Sequence, residues 1–312
     1  MAVAALAAVS AACSGTSANS SAGSSAASGG AGSSASAGFP VTVTTTGGKV
    51  HLTSRPNAIV SLSPTATEML YAIGAGGQVK AVDNNSDYPA GAPHTKLSAY
   101  QPNAEAIAAY KPDLVIISND IAGIAAKLTA LSIPVLQLPA TSAVAGVYSE
   151  FTQLGAATGH MAQARTEDQK LRADISQIVA SEPHHTAPVT YYYELGVDPY
   201  YSVTDSTFIG SLLSMLGMKS IADTAKGAAA AGGYPSLSAE FIVKANPDYI
   251  ILTDTGSTAG GQSAATVSAR PGWSVLTAVK SKHIIMVNAD IASRWGPRIV
   301  DLLQTVAVGT KS

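Results

Sequence analysis

Two glutamates stand at matching places in two similar stretches of the chain. Glu105 and Glu240 each lie two residues after a predicted helix N-cap residue, Asn103 in one stretch and Ser238 in the other. A carboxylate in the first turn of a helix is favoured by the helix dipole, so helix stabilisation alone can account for both. Because the pair is duplicated, a second interpretation is that each glutamate presents an exposed charge to a partner protein and fixes its register.

The chain contains twelve tyrosines against four phenylalanines, a bias toward aromatic rings with a polar tip. Such rings suit a large ligand that needs both an apolar face and hydrogen bonds. Tyr193 and Tyr201 are candidates to reach a ligand cleft, although strand alternation predicts that some tyrosines at 191–193 face the core. Asp290 and Arg294 are four residues apart, so on a helix they share a face and either pair together or contact a ligand.

The glutamates belong to an internal repeat. Residues 103–118 align without gaps to residues 238–253 at a constant offset of 135, and six of the sixteen positions are identical. Each copy predicts a helix N-cap, a short helix, a Pro-Asp turn and a buried strand. An offset of this length is too long for a solenoid repeat, so it predicts two lobes built on the same plan.

Strand and helix patterns alternate along the chain. Strands are predicted at 41–44, 58–62 and 78–83, with a helix from Pro64 between the second and third of them. Such alternation favours lobes with parallel sheets. Gly159 to Ser181 has apolar residues at helical spacing, and about 22 residues of helix would span about 33 Å. Such a helix can connect two lobes, or it can be a peripheral helix of one larger domain.

The predicted fold class is therefore α/β, with two Rossmann-like lobes joined by a single long interlobe helix and a ligand cleft between the lobes. The predicted boundaries are an N-terminal α/β lobe at 39–158, an interlobe helix at 159–182 and a C-terminal α/β lobe at 183–312.

The N-terminus predicts an anchor and a tether. Cys13, the only cysteine, follows an alanine-rich apolar run and small residues, a pattern typical of a bacterial lipobox in which the cysteine is lipidated. The alternative is an ordinary signal peptide that ends near a cysteine. Residues 1–13 are thus a predicted signal peptide and lipobox. Residues 14–38 are almost entirely small and polar, which predicts a disordered tether of about 25–30 Å.

Several function classes are disfavoured. The net charge is −2 and no basic block occurs, which argues against nucleic acid as a partner. The six histidines are scattered, so no metal site is predicted, with manganese or zinc capture a weak alternative. Asp254-Thr255-Gly256 matches an aspartic protease loop, but Asn119 stands at the equivalent place of the first repeat, so the second aspartate is missing. No catalytic residue is predicted.

In their order and spacing, several motifs resemble the cobalamin and ferric-siderophore class of periplasmic binding proteins. The resemblance covers about residues 50 to 310 and rests on the motifs Leu62-Ser63-Pro64 with Thr67-Glu68, Ser86-Asp87-Tyr88-Pro89, Glu105 with Lys111-Pro112-Asp113, Phe208-Ile209-Gly210, Tyr234-Pro235 and Trp295-Gly296-Pro297-Arg298. Within the class, the Ser-Asp-Tyr-Pro loop and the Asp290, Arg294, Pro297 and Arg298 stretch resemble the cobalamin receptors.

This resemblance implies a receptor and not an enzyme. It implies a monomer, lipid-anchored outside the cytoplasm, that holds no permanent cofactor. The implied ligand is cobalamin or a related corrinoid, with a ferric siderophore or haem as the alternative, and the implied partner is an ABC permease dimer with its ATPase subunits. Glu105 and Glu240 would dock on the permease. The implied and candidate ligand-binding residues are Pro64, Tyr88, Tyr100, Tyr193, Tyr201, Tyr234, Asp290 and Arg294. A sensor or adhesion lipoprotein that kept the fold is the remaining alternative.

Overall fold

The computed structural model describes residues 38–182, 189–256 and 261–311. Cys13 and all but the last residue of the predicted tether lie outside the described residues. The first lobe contains a four-stranded parallel sheet of order β4-β3-β5-β6, preceded by an antiparallel β1–β2 hairpin. Its elements are β1 Val41–Thr45, β2 Gly48–Leu52, β3 Ile59–Leu62, α1 Pro64–Ala72, β4 Val79–Val82, α2 Ala104–Ala108, β5 Leu114–Ile117, α3 Ile124–Ala130, β6 Val135–Gln137 and α4 Val144–Thr158.

A single long helix, α5 Met161–Ala180, leads to the second lobe, and it confirms the helix predicted at 159–181. The second lobe contains a parallel sheet of order β10-β7-β12-β13 and a small antiparallel sheet of order β11-β9-β8. Its elements are β7 Val189–Glu194, β8 Gly196–Val197, β9 Tyr200–Tyr201, α6 Phe208–Met215, β10 Met218–Ser220, β11 Ser236–Leu237, α7 Ala239–Ala245, β12 Tyr249–Leu252, α8 Ala264–Ser268, α9 Thr277–Lys280, β13 Ile284–Met286, α10 Ala289–Ser293 and α11 Ile299–Gly309.

The repeat predicts the same local structure twice, and the structure shows it. The Asn103 side chain accepts a hydrogen bond from the third residue of α2, and the Ser238 side chain does the same at α7. Lys111 and Asn246, 135 residues apart, both adopt left-handed backbone with φ near 50°. The strands that follow, β5 and β12, are fully buried.

The repeated Pro-Asp turn fixes each central strand. The Asp113 carboxylate accepts hydrogen bonds from the backbone N–H groups of Asn57 and Ala58, at 2.8 and 3.0 Å, just before β3. The Asp248 carboxylate accepts from the backbone N–H and the hydroxyl of Thr190, at 2.9 and 2.7 Å, at the start of β7. The identical aspartates thus tie each repeat to the neighbouring strand of its own sheet.

Three hydrophobic clusters fill the interior. One cluster is confined to the first lobe, where it contains Val60, Ile107 and Leu128. Another is confined to the second lobe, around Trp273. The largest cluster includes side chains from α1, α4, α5, α6 and α11, so it runs continuously from the first lobe to the second. Because close-packed interiors resist shear, this shared core holds the two sheets in one arrangement along the helical side.

Candidate ligand-binding cleft

A cavity of about 500 Å³ lies at the carboxyl ends of the strands of the first lobe. In open α/β sheets this edge is where ligands bind, because loops diverge there and leave a crevice. Residues after α10 form one wall, so the cavity is built from both ends of the chain. Its lining includes Leu62, Ser63, Pro64, Thr65, Asp83, Asn84, Asn85, Asp87, Tyr100, Ser118, Asn119, Asp290, Ser293, Arg294 and Trp295.

The cavity wall is rich in neutral hydrogen-bonding groups. Asn84, Asn85 and Asn119 contribute side-chain amides, each of which can both donate and accept. The Ser118 hydroxyl donates to the Ser63 hydroxyl at 2.7 Å, so the serines are already held in place. Tyr100 is 71% exposed and leaves an aromatic ring free at the rim. The arrangement suits a ligand with an aromatic or macrocyclic face and many amide or hydroxyl groups at its edge.

Arg294 lines the cavity but is 6% exposed, because acidic groups surround its guanidinium. Its Nη1 donates to Oε1 of Glu68 at 3.0 Å. Its Nη2 contacts Oδ1 of Asp87 at 2.8 Å and Oδ1 of Asp290 at 3.1 Å, and it donates to the backbone carbonyl of Asn85 at 2.9 Å. The predicted pairing of Asp290 with Arg294 is therefore present, and both side chains line the cavity, while their contact with a ligand stays a prediction.

Glu68 is the centre of this ion-pair network. Its side chain is fully buried on α1, and Arg298 donates to it from Nε at 2.9 Å. The guanidinium of Arg298 also lies over the ring of Tyr88, 4.1 Å from its centroid. Tyr88 lines a different cavity of about 560 Å³, which lies beside α5 and α11. Tyr88 is not among the residues that line the cavity at the strand ends, so its contact with a ligand stays a prediction.

A second buried carboxyl supports the cavity from behind. Glu150 on α4 is buried and accepts a hydrogen bond from Nε1 of Trp295 at 3.0 Å. Burial raises the pKa of this carboxyl to about 7, and the bond from Trp295 only partly opposes that rise. The contact holds the indole of a cavity-lining residue against the first lobe.

The second lobe presents charged residues at the equivalent edge. Glu194 is the last residue of β7 and lies beside Leu252 of β12. Leu62 holds the corresponding place in the first lobe, at the end of β3 and beside Ile117 of β5. Glu194 is fully buried and forms a bidentate pair with Arg270, whose Nη1 and Nη2 lie 2.6 and 2.8 Å from its oxygens.

Asp254 is the repeat counterpart of the cavity-lining Asn119. It is 2% exposed, and neither of its carboxylate oxygens has a hydrogen-bond donor among residues 38–182, 189–256 and 261–311. Burial and the neighbouring charge of Glu194 raise its pKa to about 6. The second lobe therefore carries a carboxyl without a partner where the first lobe carries an amide.

The tyrosines of the second lobe do not line the cavity. Tyr193 is completely buried with its two neighbours on β7, because helices and loops cover both faces of this central strand. The expectation that it reaches the cleft is therefore corrected. Tyr201 and Tyr234 are 46% and 45% exposed. They lie near one another across the β9–β11 pairing of Tyr201 with Ser236, so they remain candidates for contact with a ligand that extends beyond the cavity.

The predicted docking glutamates occupy equivalent exposed positions. Glu105 lies in the first turn of α2 and Glu240 in the first turn of α7, and both are exposed. Neither forms an ion pair with any of the described residues. Hydrogen bonds from its own backbone N–H and from Ser238 lower the pKa of Glu240. Each repeat thus presents one unneutralised carboxylate to solvent.

Sequence reasoning did not assign roles to Glu68, Asn119, Glu194 and Arg270. Glu68 was noted only as part of a motif, yet it sits on a buried helix face where an unpaired carboxylate would be costly, which is a signal for a partner. Asn119 lies two residues after the end of a repeated strand, β5, and that position alone could have placed it at the cavity. Arg270 carries no local signal, because its partner Glu194 lies 76 residues away.

Within the described residues, no group of three or more His, Cys, Asp and Glu side chains is arranged to hold a metal ion. In the same part of the chain, no helix combines the length and apolar character needed to cross a membrane.

The chain is similar to proteins that bind ligands for transport. It is 30% identical over 278 residues to the uncharacterized ABC transporter substrate-binding lipoprotein YvrC of Bacillus subtilis, covering 86% of this chain and 85% of that protein. It is 29% identical over 259 residues to a vitamin B12-binding protein of Pectobacterium atrosepticum, covering 80% of this chain and 87% of that protein.

A solved structure, a possible iron-binding periplasmic solute-binding protein of Staphylococcus epidermidis, matches with a TM-score of 0.70 and 27% identity, covering 83% of this chain and all of that one. The two-lobed α/β fold predicted from the sequence is thus confirmed. The relatives are binding proteins, and their names support a location outside the cytoplasm. Residues 59–291 match the model of the periplasmic binding protein family, and the chain belongs to that family.

Proposed function

We propose that the chain is the extracytoplasmic substrate-binding component of an ABC importer, and that it captures cobalamin or a related corrinoid. The observation that carries the proposal is the cavity at the strand ends, lined by three asparagine amides and an exposed tyrosine. A corrinoid presents a flat macrocycle whose rim bears carboxamides, and carboxamides pair well with asparagine side chains. The similarity to a vitamin B12-binding protein supports the same ligand.

The shared core suits a receptor that closes little. Because one hydrophobic cluster runs through both lobes along α4, α5, α6 and α11, large hinge motions would break close packing. Binding would then rely on a cleft that is already formed, which lowers the entropy lost on association.

Docking on the permease would use Glu105 and Glu240. Exposed ion pairs contribute little affinity, about 0–1 kcal/mol each, so their role would be steering and register. Two equivalent carboxylates on two lobes match the two-fold arrangement of a permease dimer. The predicted lipidation at Cys13 would hold this receptor near the permease, with residues 14–38 as its tether.

The ligand is tested by native mass spectrometry of the purified full-length chain. The protein is incubated with an equimolar mixture of cyanocobalamin, cobinamide, haem and several ferric siderophores. We expect one retained corrinoid mass, and we expect Asn119→Ala and Tyr100→Ala to weaken its retention. Retention of a ferric siderophore or haem in place of the corrinoid would contradict the proposed ligand while keeping the receptor function.

Docking is tested by uptake of labelled ligand in cells that contain the cognate permease. We expect Glu105→Ala combined with Glu240→Ala to abolish uptake without changing ligand affinity. Asp301→Ala is the matched control, because Asp301 is another exposed carboxylate in the first turn of a helix, α11. Lost ligand affinity in the double variant would contradict the docking role.

The anchor is tested by cell fractionation. Cys13→Ser should release the protein from the membrane fraction, whereas the unaltered chain should remain there. Membrane retention of the variant would contradict lipidation at this residue.

A further inference from the structure

The net charge of the cavity wall depends on how its arginine, Arg294, is paired with carboxylates. Arg294 is the one cation among the described residues that line the cavity, and Asp83, Asp87 and Asp290 line it as well. Glu68, Asp87 and Asp290 all contact its guanidinium within 3.1 Å. Glu68 is shared with Arg298, so in this network three carboxylates face two guanidiniums before a ligand arrives.

The guanidinium also has little hydrogen-bonding capacity left. A guanidinium has five N–H donors, and contacts to Glu68, Asp87, Asp290 and the Asn85 carbonyl engage both of its terminal nitrogens. Of its three carboxylate partners only Glu68 is desolvated, so leaving Glu68 would uncover a buried charge at large cost. A ligand carboxylate that approached Nη2 would instead meet the half-exposed carboxylates of Asp87 and Asp290. An anionic ligand group would thus find no unpaired cation among the described residues of this wall.

The equivalent edge of the second lobe, whose residues are not part of the cavity lining, also carries more carboxylates than arginines. Arg270 is bound by both oxygens of Glu194, and its Nη2 also donates to Gln262 at 2.7 Å. Its cationic face packs 4.5 Å from the Trp273 ring centroid. Asp254, beside this pair, adds a second carboxyl that no cation neutralises in the described part of the chain. Both strand-end edges therefore hold more carboxylates than arginines.

Charges in such a crevice act on a ligand more strongly than charges on an open surface. Two unit charges 4 Å apart interact with about 4 kcal/mol at an effective dielectric constant of 20, against about 1 kcal/mol in water. Salt screens partly buried charges less than exposed ones. Repulsion of wrong ligands is an established way to achieve specificity.

We propose that the cleft discriminates by charge, rejecting polyanionic ligands and accepting neutral or cationic ligands rich in amides or hydroxyls. Glu68, Asp87 and Asp290 are the specificity-determining residues, because they neutralise Arg294. The inference deepens the proposed function by narrowing the ligand class, and it rests on that function only in the choice of corrinoid probes.

The test compares two corrinoids that share one macrocycle and differ in charge. Cobinamide carries carboxamides at its rim, and cobyrinic acid carries carboxylates at the same places. Isothermal titration calorimetry at low ionic strength should show that cobinamide binds with an affinity at least about 100-fold higher than that of cobyrinic acid. Equal affinities would overturn the charge inference and leave the corrinoid receptor function standing.

Variants identify the residues responsible. Asp87→Asn combined with Asp290→Asn keeps the side-chain shapes and removes two of the three negative charges on Arg294, so the preference for cobinamide should fall by about 10-fold or more. Asp301→Asn, an exposed carboxylate outside the cavity, should leave the preference unchanged. A preference that survives unaltered in the double variant would overturn the role assigned to these aspartates.

Two further probes separate this inference from the proposed ligand class. Ferrioxamine B is a cationic ferric hydroxamate, and ferric enterobactin is a polyanionic ferric catecholate. If neither corrinoid binds and ferrioxamine B does, the corrinoid proposal fails and the charge inference stands. Tight binding of ferric enterobactin would overturn the charge inference.

Discussion

The two lobes bury carboxylates at equivalent edges but neutralise them differently. In the first lobe, the fully buried Glu68 is shared by Arg294 and Arg298, so one carboxylate is matched by two guanidiniums. In the second lobe, Glu194 has one guanidinium, that of Arg270, and Asp254 has no side-chain hydrogen-bond partner among the described residues. The first lobe thus matches its buried carboxylate with two guanidiniums, whereas the second lobe leaves one buried carboxyl without an ion-pair partner of its own.

The difference shows which parts of a duplicated fold are free to diverge. The helix caps, the Pro-Asp turns and the buried strands are retained in both copies, because they hold the backbone of each sheet. The residues at the strand ends differ, Leu62 against Glu194 and Asn119 against Asp254. In the first lobe these positions line the cavity, and in the second lobe they are buried, so each lobe uses them differently. Substitutions at matched positions in the two lobes sharpen this comparison.

The largest effect is expected for Glu68→Ala, which leaves Arg298 without a carboxylate and Arg294 without its fully buried one. Removing one partner of a buried ion pair costs about 3–5 kcal/mol, so the urea midpoint should fall accordingly. Glu194→Ala should cost less, because only one guanidinium loses its partner. A loss below about 1 kcal/mol for Glu68→Ala would show that the network does not hold the C-terminal segment on α1.

The next effect concerns Glu150, whose pKa is raised to about 7 in the folded protein. In the unfolded chain this carboxyl has its ordinary, lower pKa, so folding favours its protonated form. The contribution of the protonated carboxyl to the free energy of unfolding is complete below about pH 4.5 and is lost as the pH rises through about 7. Glu150→Gln keeps an acceptor for Trp295, so it should stabilise the protein above pH 7 by an amount on the order of 2–3 kcal/mol. Urea unfolding between pH 4 and 8 measures this, and parallel curves for the variant and the unaltered chain would contradict it.

A smaller effect is expected when aspartate and asparagine are interchanged at the two matched positions, Asn119 and Asp254. Asp254→Asn removes a buried carboxyl without a donor, whose pKa is raised to about 6, so stability should rise by about 1–2 kcal/mol above pH 6. The matched change Asn119→Asp lies at an exposed cavity position and should alter stability by less than about 0.5 kcal/mol. Similar stability changes in both variants would show that the two edges are equivalent after all.

The smallest effects should be equal in the two lobes. Asn103→Ala and Ser238→Ala each remove one N-cap hydrogen bond, at 2.7 and 3.1 Å, and each should cost about 1 kcal/mol. Chemical denaturation of the two variants and of their combination measures both the costs and their additivity. Costs that differ by more than about 1 kcal/mol would show that the repeat does not support both helices alike.

Much of the scaffold could be predicted from local patterns. The helix α5, the caps at Asn103 and Ser238 and the buried strands of both copies all appear where the sequence predicts them. Of the proposed ligand-binding residues, Pro64, Tyr100, Asp290 and Arg294 line the cavity. The placement of Tyr193 was wrong, because the covering of both faces of β7 has no local signal. The contact of Tyr88 with a ligand stays a prediction, and its stacking on Arg298 also has no local signal.

The sequence by itself determined two lobes of one plan, the connecting helix and the exposed position of the repeated glutamates, because caps, turns and apolar periodicity act over a few residues. Only the tertiary structure decided which charges meet. Glu68 and Arg294 are 226 residues apart, and Glu194 and Arg270 are 76 apart. Burial removes such charges from water, so their partners are set by the packing of distant elements and not by spacing along the chain.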